Sequence, residues 1–236
     1  MGAALSRPLR ETAGNPQAAR VRLRMPGRPA RGMLAAMSGS STVELYWIPL
    51  GAGGHVVRFC GRVFEALTAA RERRHRCALY HAALIVELDG VRHAIELAPT
   101  PDGDGAARGV VATGAVGTRR AGRWRLFRYE VRCRPGGVIP DLGEAVGGPR
   151  RLSADPLVAR RLLDRLPDVP RLVWGRDERR TGDMWNSNSV IAWLLATADL
   201  PAGELGPPAG GRAPGWDAGL EIARRLSPAA AGRGRG

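Results

Sequence analysis

The sequence holds no lysine: each of its 36 basic residues is an arginine. A Gly-Lys-Ser/Thr phosphate loop is therefore excluded, and the segment LGAGGH at residues 50–55, which follows a strand-like run, reads as a tight turn. Aromatics make up only 5% of the chain, so the interleaved rings of a base-stacking surface are missing. The three cysteines, Cys60, Cys77 and Cys133, are odd in number and spaced for neither a disulfide framework nor a CxxC knuckle. They read as reduced, mostly buried thiols. His55, His75 and His93 do not meet carboxylates or cysteines at ligand spacing, so neither metal nor cofactor is expected. Long apolar runs are absent too. The longest, Ala82 to Leu88 and Val190 to Ala196, fall far short of the roughly 18 residues of a membrane span. No apolar run follows Arg7 and Arg10, so the start is read as no secretory signal, with an organelle leader as the rival and cytoplasm as the expected place.

What is present in excess is positive charge, a formal +14, in company with 32 glycines and 18 prolines. Residues 1–41 carry seven arginines and one glutamate and show no hydrophobic period, so they are expected to be a disordered tail, with Met33 or Met37 as possible true starts. Between the two ends, 24 arginines face 18 acids. The folded part is thus only mildly basic, and nucleic acid is expected to bind non-specifically through the arginine-rich ends. With 44% hydrophobic residues the remainder has ordinary globular make-up.

The expected organisation is a disordered tail over 1–41, an α+β domain over 42–200, a docked extension over 201–225, and a frayed end over 226–236. VELYWI alternates like a strand, and Val56, Phe59, Cys60, Val63, Phe64 and Leu67 recur at helical spacing. CALYHAALIVEL, Asp89-Gly90 and VRHAIELAP form a hairpin through a primed turn. Strands follow at GVVATGAV and RLFRYEVRC. A helix is expected over Ser153 to Leu166, capped at Asp155-Pro156, and another from about Asn186 to Asp199. Trp216, Leu220 and Ile222 should dock the extension. With Asp89-Gly90 as the turn, facing residues sum to 179, so Leu84, Val86, Leu88, Ile95 and Leu97 share one face and His81, Ala83, Ile85, Ala94 and Glu96 the other. The same register makes His81 and Glu96 diagonal neighbours.

In TGDMWNSNSVIAWLL four small polar residues stand at the mouth of an apolar helix, which places Ser187 at a helix N-terminus among free backbone N–H groups. Simple capping by Asn186, Ser187 or Asn188 accounts for part of that pattern, as backbone bonding would for His81. A histidine opening a hairpin strand and, about a hundred residues later, an Asn-nucleophile-Asn-Ser helix start resemble the circularly permuted papain-like superfamily of NlpC-type peptidases and lecithin retinol acyltransferase-like enzymes. The stretch GRDERRTGDMWNSNSVIAWLL also resembles uncharacterised proteins of high-GC bacteria. The superfamily resemblance implies an antiparallel sheet with helices packed on it, and a hydrolase or acyltransferase acting on an amide, ester or thioester. Ser187 then stands where the family has its cysteine, and a hydroxyl, unlike a thiol, must lose its proton to a well-held base. His81 is that base, Glu96 its orienting carboxylate with Asp183 in reserve, and the Ser187 N–H with Asn186 or Asn188 the expected oxyanion donors. The rivals are a non-catalytic papain-like scaffold binding a peptide or acyl ligand and an arginine-rich nucleic-acid binder.

Overall fold

The computed structural model describes residues 39–51, 65–66, 68–100, 109–139 and 141–227. The helix expected from Val56, the LGAGGH turn beyond Gly51 and both chain ends lie largely or wholly outside these residues; residues 65–71 are helical where described.

Strand β1 (Thr42–Pro49), β2 (Ala78–Leu88), β3 (Val91–Pro99), β4 (Val110–Ala115), β5 (Arg128–Pro135) and β6 (Arg150–Ser153) form one antiparallel sheet in the order β4-β5-β3-β2-β1-β6. Helices α1 (Pro156–Asp164), α2 (Ser187–Thr197) and α3 (Trp216–Leu226) complete an α+β fold. The short β7 (Gly211–Arg212) adds to β2 in parallel. Among the described residues no helix is long and apolar enough to cross a membrane.

Local chemistry explains the elements. Asp89 and Gly90 both take positive φ, 53° and 78°, which is the primed turn whose twist matches its strands. The register runs Leu84↔Ile95 to Leu88↔Val91, each pair summing to 179. Asp155 accepts from Leu157 N, and Pro156 starts α1 where a missing N–H costs nothing. That helix is shorter than its expected Ser153–Leu166 span, because Ser153 pairs with Val43 on β1 and Leu166 belongs to a separate 3-10 turn.

Parity sorts the hairpin as its pattern requires. Leu84, Val86 and Ile95 pack with Val43, Leu45 and Trp47 beneath the helices, whereas Ala83, Ile85 and Ala94 pack with Tyr46, Ile48 and Ile139 on the other face. The extension docks: Trp216 packs 5.0 Å from Trp47, and Gly219 lets α3 close on α2, since a Cβ there would strike Ser189 O and Ala192. The thiols Cys77 and Cys133 are free but only half-buried.

The sheet departs from the expected register in one place. The β2/β3 ladder stops at Leu84↔Ile95, while β2 continues beside β1 back to Tyr80, with Ala78 and Leu79 paired to β7, and β3 runs on to Pro99 beside β5. The pairs Ala83↔Glu96 and His81↔Ala98 that would make His81 and Glu96 neighbours are not formed. The two strands part, and a wedge opens between them.

Candidate active site

A cavity of about 350 Å³ occupies that wedge. His81, Ala82 and Ala83 line it from β2; Glu96, Leu97, Ala98 and Pro99 line it from β3. Ser187 at the start of α2, Asp141, Ile139 and Trp174 complete much of the wall. The three residues singled out for chemistry, His81, Ser187 and Glu96, therefore border one space although they come from β2, α2 and β3.

Alanines at 82, 83 and 98 leave the room, and the side chain of Asn188 sets the geometry. Its Oδ1 accepts from Ala82 N at 2.7 Å, and its Nδ2 donates to Tyr80 O at 3.0 Å and Pro214 O at 2.9 Å. Backbone groups of alternate residues point to the same side of a strand, and even-numbered residues of β2 are those hydrogen-bonded to β3 next to a two-residue turn at Asp89-Gly90. Tyr80 O and Ala82 N thus point to the side that β3 has left. One carboxamide, offering an acceptor and a donor, stands in for the missing peptide unit. It also ties the N-terminus of α2 to the backbone on both sides of His81.

The remaining polar residues of this helix start have defined employment. Asn186 is the N-cap, accepting from Asn188 N at 2.9 Å and Ser189 N at 3.3 Å, and its Nδ2 donates to Pro214 O. Ser189 completes the capping box and lies 2.7 Å from Gly215 O. Asn188 thus spends both amide hydrogens on backbone carbonyls and Asn186 one of its two, and neither residue lines the cavity that holds His81 and Ser187. Asp183 accepts from Met184 N and Gly215 N and lines a second, polar cavity of about 480 Å³, not the one holding His81. It supports the helix start and does not orient the histidine.

Ser187 differs from its neighbours. Among the described residues neither its hydroxyl nor its N–H, which the cap leaves over, has a hydrogen-bond partner. The His81 ring is likewise unengaged there, and the two side chains do not hydrogen-bond to each other. Burial holds the His81 pKa below its ordinary value, so the ring is neutral at pH 7 and able to accept a proton, and the charge of Asp141 acts against that shift.

Glu96 is otherwise engaged. Arg134 holds it at 3.0 Å, while burial raises its pKa against the pull of Arg134 and Arg132. The carboxylate felt by His81 is that of Asp141, a residue that spacing did not single out. It sits in the aperiodic loop after β5, and Ile139, buried on the His81 face, was the available sign that this loop folds onto the sheet.

Among the described residues no cluster of histidine, cysteine or carboxylate side chains is arranged to hold a metal. Comparison of the chain with protein-family models, with curated proteins and with solved structures finds no match in any of the three.

Proposed function

We propose that this chain is a serine-dependent hydrolase or acyltransferase acting on an amide, ester or thioester, on a permuted papain-like scaffold. The observation that supports it best is that His81 and Ser187, from segments about a hundred residues apart, border one cavity that the capping residues Asn186, Asn188 and Ser189 do not line. Neutral His81 takes the Ser187 proton as the oxygen attacks the acyl carbon. The oxyanion that forms meets the Ser187 N–H at the positive end of α2. Asp141 steadies the imidazolium, which then protonates the leaving group. Water or a second acceptor discharges the acyl-serine by the same route. In the notation of a triad, Asp141 takes the place first given to Glu96.

A fluorophosphonate probe tests this reading: the wild-type chain should be labelled, and Ser187→Ala should abolish the label. Ser187→Cys adds an independent arm, because a thiol at a helix N-terminus beside a histidine ionises more readily than a free cysteine. The native thiols give a slow background, since burial raises Cys77 and pushes Cys133 up to about 11. The introduced thiol should react with iodoacetamide faster than Cys60, Cys77 or Cys133, and His81→Ala should remove the excess. A second reading, a binding scaffold for a peptide or acyl ligand, is favoured by the lack of a hydrogen bond between His81 and Ser187. A reactive introduced thiol without any labelling of the wild type would decide for it.

A further inference from the structure

We propose that the β4–β5 connection is a docking surface for an anionic lipid membrane. Between Val116 and Arg128 the chain reads VGTRRAGRWRLFR, with five arginines counting Arg128 and no acid. Two 3-10 turns, Ala121–Arg123 and Arg125–Phe127, hold its tip away from any core: neither contains a buried residue. Three large apolar side chains stand in solvent there, with exposures of 60% for Trp124, 83% for Leu126 and 43% for Phe127. Large apolar groups scattered singly on a surface need no explanation, but three in four residues at one tip form a patch.

The surroundings of the patch are positive. A groove of about 470 Å³ beside it is lined by Arg119, Arg123, Arg128 and Arg171 and by no acidic residue. Of these, Arg119 is tied to Glu178 at 2.7 Å and Arg128 donates to Gly122 O and Arg123 O. Arg123 lies 5.6 Å above the Trp124 ring, which presents the indole and the charge together. The tip is also braced from below: Gly117 N donates to Trp174 O, Arg176 to Gly117 O, and Tyr129 packs against Trp174. A rigid base, an apolar tip and a cationic collar match the layered chemistry of a bilayer surface, where indole and aliphatic groups enter the acyl boundary while arginines meet phosphate.

The same charge would draw a nucleic acid, but bases are bound by stacking on π-faces, and Leu126, the most exposed of the three, has none.

Co-sedimentation of the full chain with phosphatidylcholine vesicles, with and without one third phosphatidylglycerol, tests the inference, with binding to a single-stranded oligonucleotide as the parallel arm. The variants are Leu126→Ser and Trp124→Ser/Leu126→Ser, which leave the net charge untouched and, being at exposed positions, leave the melting curve as a folding control. Expected are binding to the anionic vesicles over the neutral ones, a loss of affinity of about tenfold for Leu126→Ser, and a further loss for the double variant. Undiminished vesicle binding by the double variant would overturn the proposal and assign any attraction to arginines elsewhere. So would a loss confined to the oligonucleotide arm, which would make the tip a nucleic-acid surface.

Discussion

Replacing Asn188 by alanine deletes the group that substitutes for a strand. The side chain is 3% exposed and makes three hydrogen bonds, to Ala82 N, Tyr80 O and Pro214 O. Pro214 O keeps the Asn186 donor, so two backbone groups of β2 lose a partner at a position walled in by α2. Leaving a buried donor or acceptor unpaired costs about 1–3 kcal/mol each. Some relief comes from water in the space vacated, so the expected loss is about 3 kcal/mol, or roughly 6–12 °C in melting temperature for a domain of this size. Ser187→Ala next door should change stability by less than about 0.5 kcal/mol, because its hydroxyl has no partner among the described residues. Asn188→Asp keeps the acceptor for Ala82 but sets carboxylate oxygens against two carbonyls. It should be at least as damaging at neutral pH and recover as the acid protonates. Thermal unfolding measures all three, and amide exchange at Ala82 reports the local opening. An Asn188→Ala protein that melts with the wild type and protects Ala82 equally would refute the idea that this carboxamide closes the edge of β2.

Other outcomes follow from the same geometry. Because the folded His81 pKa lies below its unfolded value, the unfolded state binds more protons in that window; stability is therefore full above about pH 6.5 and is lost as pH falls below it, a slope that His81→Phe should flatten in denaturant titrations. In an NMR titration Asp141→Asn should lower the His81 pKa further, and Glu96→Gln should move it less, since Arg134 already engages Glu96. Gly219→Ala places a Cβ 2.9 Å from Ala192 Cβ and against Ser189 O, so it should cost about 1–3 kcal/mol in thermal unfolding.

Elements whose information is local were legible in the chain. The Asp89-Gly90 turn, the 179 register beside it, the two-face parity, the cap at Asp155 and a polar cap within Asn186–Asn188, which the structure assigns to Asn186, follow from φ preferences and side-chain reach over a few residues. The parting of β2 from β3 was not legible, because nothing in ALYHA or ELAP distinguishes a paired strand from one whose neighbour has left. It depends on β1 holding β2 back to Tyr80 and β5 holding β3 out to Pro99, past the point where the two part. The choice of carboxylate has the same root: the expected ladder runs three pairs beyond Leu84↔Ile95, to His81↔Ala98, which sets Glu96 diagonal to His81, whereas Asp141 enters from a loop without period. Asn188 was read as an oxyanion donor for want of the strand edge that employs it.

The wedge makes the sheet a lever. Its two leaves, β4-β5-β3 and β2-β1-β6, are joined at the crotch by Leu84 and Ile95, both with no exposed surface. From Ile95 to Pro99 the strand extends about 13 Å at the usual rise. A change of twist of about 5° at the crotch therefore shifts the far rim by about 1 Å, the scale on which misplacement costs catalysis roughly a hundredfold. Core residues that touch nothing in the cavity thus fix its width, and substitutions such as Ile95→Val belong to its tuning as much as those of its wall.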